Sequence, residues 1–338
     1  MRKTLIILTA LLLATPIFAY GNPSYVDKTP PDLKFGRFVN AELPYEYLEH
    51  FEGEVVLVEF FSTWCGPCRA GMKHMQALQE KFDRPDLHIF AVSDESYDIV
   101  KRFLYHHETG AKLTYPIVVD AEADWGIVSI PMAYLIGRNG KVVWEGRPTD
   151  EKEMTEAVEK ALATPAPVVA DVWDSVKERV RYVYNEYYER ALASAKALKK
   201  KEETISAAVH IEKLVTRFYN RYIKRSQLYQ QKGDYYRSLQ ILEDAERKFR
   251  QTPYREHLVN KLGELKDNKE NRAIIKQWEG LHKTLSKVRG LSRQEMSKAI
   301  AELKKIAKEN ENKPIGEYAS EMADILSKPW NPQEAFED

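Results

Sequence analysis

Val55-Val56-Leu57-Val58-Glu59-Phe60-Phe61 runs directly into Ser62-Thr63-Trp64-Cys65-Gly66-Pro67-Cys68. The first seven residues form a nearly continuous apolar run, the pattern of a strand covered on both faces. Arg69 to Phe82 then reads as a helix, so the cysteines sit where a strand closes and a helix opens. Unpaired N–H groups and the helix dipole favour negative charge at that place. A thiolate is the attacking species in disulfide exchange, so Cys65 is the candidate nucleophile, its pKa lowered from about 8.5 towards neutrality. Cys68 faces the same side of the first turn and is the candidate resolving thiol. Gly66 and Pro67 make the turn, proline being tolerated where its missing N–H costs nothing.

These are the only two cysteines in 338 residues. A two-residue gap closes too small a loop to restrain the unfolded chain much, so the pair is read as reactive rather than stapling. A zinc knuckle would need two more ligands, and His74 alone does not supply them. No metal is expected, and no cofactor beyond the redox-active disulfide.

Outward from the motif, Leu87 to Val92 is a second strand and Asp98 to His107 a helix. Pro116 to Val119 and Met132 to Ile136 are further strands. Asn139-Gly140 is a hairpin-turn signal leading into Lys141 to Trp144, and Glu151 to Leu162 is an amphipathic closing helix. The pattern predicts a mixed α/β sheet with helices on both faces.

The motif resembles the active site of thioredoxin, and the stretch from 38 to 162 is similar to exported thioredoxins of the TlpA/ResA type. Four segments carry the likeness: Glu59 in the apolar strand, Ile130-Pro131, the run from Thr114 to Trp144 with Asp120, Trp125-Gly126 and Gly140-Lys141-Val142, and a helix-and-strand insert from Tyr97 to Val119. The resemblance implies a thioredoxin-like fold in which Glu59 is a buried acid beneath the second cysteine and Pro131 a cis-proline abutting the disulfide. Burial would raise the Glu59 carboxyl into the range of a general base; a surface glutamate on the strand is the alternative. The backbone of Ile130 would pair with an extended substrate segment, whereas an ordinary trans turn would leave Pro131 without that role. Glu95 lies where the subfamily carries an acid close to the cysteines, against a capping or solvated role. Trp64 would cover the disulfide rim, or simply pack inward. His106-His107 reads as a solvated helix end. Gly71 and Lys73 replace the Glu and Pro usual after the second cysteine, Met132 stands where Thr commonly follows the cis-proline, and Gly137 stands where an Asp usually precedes the hairpin.

Arg2 and Lys3 before the apolar Leu5 to Ala14, then Ala19, have the layout of a secretory signal over 1–19, an uncleaved anchor being the alternative. Residues 20–37 read as a leader segment. This predicts a protein outside the cytoplasm, in a periplasm or on the outer face of the cytoplasmic membrane. Thr164-Pro165-Ala166-Pro167 opens a linker over 164–172 after a domain at 38–163. From 173 to 328 strand-like runs vanish, and an all-α domain of five to seven helices follows, with breaks near Lys199, Lys232-Gly233-Asp234, Thr252-Pro253, Gly290 and Lys313-Pro314; 329–338 is a tail. Gly233-Asp234-Tyr235 with Ser238, Leu242 and Ala245 resembles a tetratricopeptide helix pair, and Ala207 to Leu214 and Ala299 to Ile306 read as second helices of neighbouring pairs; a plain helical bundle is the alternative.

Residues 20–165 hold 15 Lys/Arg against 24 Asp/Glu and residues 166–338 hold 34 against 27, while the whole chain is neutral. The basic half is diluted by interleaved Glu, which speaks against a nucleic-acid partner. The expected function is an exported dithiol–disulfide oxidoreductase acting on protein thiols and disulfides, working as a reductant and recharged by a membrane thiol donor, its helical domain recruiting partners. The subfamily resemblance points to apocytochrome c thiols as substrate. A helical-repeat scaffold with a secondary redox site, or a disulfide oxidase or isomerase, are the rival readings.

Overall fold

The computed structural model describes residues 21–289 and 293–334. The signal read at 1–19, the break at Gly290 and the end of the tail lie outside the described residues. The strands are β1 (Leu33–Lys34), β2 (Arg37–Phe38), β3 (Val55–Phe60), β4 (Leu87–Val92), β5 (Ile117–Val119), β6 (Glu122–Ala123), β7 (Met132–Ile136) and β8 (Val142–Gly146). The helices of the sheet domain are α1 (Gly66–Phe82), α2 (Tyr97–His106) and α3 (Glu151–Ala163).

Six strands lie in the order β2-β5-β4-β3-β7-β8, and β1 and β6 pair separately. β3 runs parallel to β4, and β4 to β5; β7 is antiparallel to both β3 and β8. This is the thioredoxin-like sheet that the motif implied. Every residue of β3 is buried, as its unbroken apolar run requires. The Asn139-Gly140 turn forms as read, with Gly140 at φ +74° and Gly137 N–H donating to the Lys141 carbonyl at 2.9 Å.

The helices are not divided between the two faces. The β3–α1–β4 and β4–α2–β5 crossovers step in the same direction across the sheet, and right-handed crossovers then place both helices on one side. That side holds Val55, Leu57, Ile89, Ala91, Val119 and Leu135, packed with Met72, Met75, Val100, Phe103, Met154 and Val158 of α1 to α3. The opposite side, with Val56, Val58, Phe90 and Tyr134, is closed by Leu33, Phe35, Phe38, Phe51 and Trp125. The segment read as a leader is thus part of the core. It shows no clear period because its strands, β1 and the start of β2, are too short to alternate visibly.

The all-α region contains α4 (Trp173–Tyr184), α5 (Tyr188–Leu198), α6 (Ile205–Gln231), α7 (Tyr235–Lys248), α8 (Arg255–Lys266), α9 (Lys269–Val288), α10 (Arg293–Glu309) and α11 (Pro314–Ser327). These eight exceed the expected five to seven. The breaks at Asn185–Tyr187 and Asp267–Asn268 contain neither Gly nor Pro; the second is marked by the Asn268 side chain, which caps α9 by accepting from the N–H groups of Glu270 and Asn271. Ala207 to Leu214, expected in the second helix of a neighbouring pair, lies instead within the 27 residues of α6, the helix that leads into the Gly233 turn. The α6–α7 hairpin forms where predicted: Gly233 has φ +73°, Asp234 caps α7, and Ser226 and Ser238 hydroxyls meet at 2.9 Å between the helices.

Two cores divide this region. α4 to α8 pack around Val180, Tyr188, Ile211, Phe218 and Phe249. Residues of α9 to α11, among them Trp278, Leu281, Leu303, Ala319 and Met322, join the core formed by α1 to α3. The proline-rich linker is also packed, with Ala166 and Val169 buried in the α4–α8 core.

Candidate active site

α1 begins one residue after Cys65. Cys65 is its N-cap, Pro67 lies in its first turn, and the Cys68 N–H donates to Cys65 Sγ at 3.2 Å. A disulfide joins Cys65 to Cys68 across a Cα–Cα distance of 5.2 Å. In this oxidised state Cys65 is 5% exposed and Cys68 is fully buried. The polypeptide around them is open, since Trp64, Gly66 and Pro67 are exposed. A sulfur at a helix N-terminus beside exposed neighbours suits a nucleophile, and one buried behind it suits a resolving thiol.

Glu59 is buried next to the last residue of β3, between Ala91 of β4 and Ala133 of β7. One of its oxygens lies 3.5 Å from where a Gly71 Cβ would stand, so the carboxyl points at the underside of α1. Neither oxygen has a hydrogen-bond partner among the described residues, and burial pushes the carboxyl up to about 8. The edge or surface glutamate is therefore excluded. Tyr115 is buried close enough for the Glu59 charge to raise its phenol further, after burial itself, and its hydroxyl is also unpartnered among the described residues. Gly71 has its own reason: a Cβ there would stand 2.8 Å from Pro148 Cβ, so the glycine lets the loop before α3 close on the active-site helix.

Glu95 is 6% exposed and neither a helix cap nor solvated. Its carboxylate accepts from the N–H and Oγ1 of Thr63, the latter at 2.7 Å, and from Ser93 Oγ at 3.1 Å. Burial pushes its pKa up against the pull of these bonds. Glu95 thus clamps the turn that presents Cys65. Arg69 closes the same turn by donating to the Thr63 carbonyl at 2.7 Å.

The Ile130-Pro131 bond is cis. A groove of about 440 Å³ beside it is lined by Phe61, Trp64, Asp94, Val128, Ser129 and Ile130. Trp64 is 36% exposed on its wall, which gives it the rim position rather than the core one. Asn22, which carried no signal in the sequence, holds the far wall: its Oδ1 accepts from the N–H groups of Val128 and Ser129, and its Nδ2 donates to the Ser129 carbonyl.

The described part of the segment read as a tail over 329–338 is packed on the sheet domain. After α11, Trp330 donates its indole N–H to Thr63 Oγ1 at 3.1 Å, 267 residues away in sequence. Its ring packs edge-on against Phe103 and His107, and Glu334 pairs with Arg102 at 2.6 Å. His106 and His107 are half-buried, not a solvated helix end, and His107 stacks on Phe103 and meets Trp330. His74 bonds the Pro148 carbonyl.

Residues 41–145 match the AhpC/TSA family. The thiol-disulfide oxidoreductase ResA of Bacillus thuringiensis is 30% identical over 120 residues, covering 34% of this chain and 67% of that protein. ResA of Geobacillus thermodenitrificans is 30% identical over 148 residues, covering 40% of this chain and 81% of that protein. A solved thioredoxin-family thiol:disulfide interchange protein of Chlorobium tepidum is 22% identical, with a TM-score of 0.34, over 42% of this chain and 100% of that one. A putative protein disulfide isomerase of Bacteroides thetaiotaomicron is 24% identical, with a TM-score of 0.35, over 41% of this chain and 89% of that one.

Proposed function

The chain belongs, through its thioredoxin-like part, to the family of ResA thiol-disulfide oxidoreductases, and from that premise we propose that it reduces protein disulfides outside the cytoplasm. The observation that carries this reading is the Cys65–Cys68 pair at the N-terminus of α1, with a groove along Trp64 and Ile130 beside it. In the reduced protein the Cys65 thiolate attacks one sulfur of a substrate disulfide and expels the other as a thiolate. The Cys68 thiolate then attacks Cys65 Sγ. The Cys65–Cys68 disulfide forms, the substrate leaves with two thiols, and two electrons have passed to it. In its ionised form Glu59, beneath α1, receives the Cys68 proton and becomes neutral. The Ile130 backbone pairs with the substrate strand in the groove.

The helical region recruits or positions the protein partner, a role supported by the packing of α11 against α2 and by the resemblance of the Gly233-Asp234-Tyr235 sequence at the α6–α7 turn to a tetratricopeptide pair. Thioredoxin-like Gly-Pro between the cysteines supports the reducing direction. Equilibration with glutathione buffers tests it: a potential near that of thioredoxin, about −270 mV, is expected, and one near −120 mV makes the protein an oxidant. Cys68→Ser tests the site itself. It should abolish insulin reduction and accumulate mixed disulfides through Cys65, visible on non-reducing gels; recovery of partners with no such adduct refutes the assignment.

A further inference from the structure

Away from the disulfide, a cavity of about 370 Å³ lies between the sheet domain and the helical region. Its walls come from β2 and the segment after it, from α2, and from α6, α7, α9 and α11. Four acids and five cations line it, and they are arranged unevenly. Arg37 pairs with Glu321 at 2.8 Å and Lys232 with Glu42 at 2.6 Å, and these pairs are partly solvated. Glu317 is exposed in the first turn of α11. Asp234 is committed to capping α7 and to His282, which it meets at 2.6 Å.

The cations that remain are Lys101, Arg237 and Arg289. Lys101 is 6% exposed, and its ammonium donates to the Val39 carbonyl at 2.6 Å over the Tyr97 ring. Arg289 donates to the Leu113 carbonyl and lies over Tyr105. Among the described residues neither forms an ion pair, and Arg237 reaches only the shared Asp234, at 3.8 Å. The Glu321 and Glu42 charges act on Lys101 without contacting it; burying an ammonium with no counter-ion in contact is costly, and the group answers by releasing its proton or by acquiring an anion. Burial does push Lys101 down, to about 7.

We propose that this cavity binds a small organic oxyanion with at least two negative charges, a di- or tricarboxylate or a phosphomonoester, held by Lys101, Arg237 and Arg289. Guanidinium forks match carboxylate and phosphate oxygens in pairs, and the Tyr97, Tyr105 and Trp278 rings bound the space for a carbon skeleton. The volume admits a molecule of metabolite size, not a polypeptide segment with side chains. Because Lys101 and the Leu113 carbonyl that holds Arg289 belong to the sheet domain while Arg237 and Arg289 come from α7 and the end of α9, the anion would tie the helical region to the redox domain.

The test is calorimetric titration and thermal unfolding of the full chain with citrate, succinate and inorganic phosphate, against sodium chloride at matched ionic strength. Saturable binding and a rise in Tm are expected with a carboxylate or with phosphate, the responding probe identifying the chemistry. Arg289→Gln should weaken binding by about tenfold or more while leaving insulin reduction unchanged. Lys101→Met guards against simple misfolding: it should stabilise the ligand-free protein and lose the response to anion. No saturable binding by any probe, a response reproduced by sodium chloride, or equal binding by wild type and both variants overturns the proposal.

Discussion

Glu59 is a carboxyl without a hydrogen-bond partner among the described residues, in the middle of a sheet. Burial raises it from 4.5 to about 8, so the folded protein holds a proton that the unfolded chain releases above pH 4.5. The native state binds more protons between these values, so the Glu59 contribution to stability is complete below about 4.5 and declines as pH rises towards 8, by about 1.4 kcal/mol per unit. Glu59→Gln abolishes this slope. In urea unfolding at pH 5 and pH 8, wild type should lose on the order of 3 kcal/mol relative to the variant; equal losses would show an ordinary carboxyl. The same variant should slow the resolving step, measured by decay of the mixed disulfide, by about a hundredfold. Glu59 was legible because a charge in an apolar strand is conspicuous. Tyr115 beside it was not, since a tyrosine among apolar residues is ordinary.

At the scale of elements, the active-site turn is held from three sides: by Glu95 from the loop between β4 and α2, by Arg69 from α1, and by Trp330 from the segment after α11. The first two lie on or beside elements that were read in the sequence. The third follows the last helix by three residues, and nothing local to Lys328-Pro329-Trp330 says where it docks. Trp330→Ala removes one hydrogen bond and half-buried ring contacts, so a loss of about 1–3 kcal/mol is expected. Amide exchange should locate it: faster exchange at Thr63 and along the end of α2, with α4 to α8 unchanged. Helix count shows the same division. Breaks at Gly233 and Pro314 were found by their residues, whereas Asn185–Tyr187 bends on Glu186 at φ +60°, a conformation its composition does not announce.

For the whole molecule, the junction between sheet and helices is polar and buried. Glu54, at the foot of β3, receives Arg221 of α6 through both oxygens at 2.6 and 2.7 Å, Arg217 at 3.0 Å and His88 at 2.6 Å. Arg138 donates to Asp86 and lies 4.4 Å over Tyr184 of α4. Burial alone would raise the Glu54 carboxyl, but Arg221 and the His88 bond outweigh it and hold it at about 2. A lowered acid contributes stability above its unfolded value of about 4.5, and that contribution is lost as pH falls towards 2. Glu54→Gln leaves Arg221 buried without its counter-charge. It should cost about 3–5 kcal/mol at neutral pH in urea unfolding, and flatten the acid-unfolding profile between pH 5 and 2. A variant as stable as wild type, with an unchanged acid profile, would show that the junction does not depend on the pair.

The sequence alone determined the redox chemistry and the strand–turn–helix that presents it, because those features are local: an apolar run, a cysteine spacing and a helical period within thirty residues. It also determined that helices follow the sheet domain, since composition and periodicity are local as well. Only the tertiary structure decided which face of the sheet is covered by helices and which by the N-terminal segment. It alone brought Trp330 to Thr63, Arg221 to Glu54, and three cations around one cavity. Such contacts arise from the fit of surfaces remote in sequence, where single Trp, Arg and Lys residues carry no periodic or spacing signal of their destination.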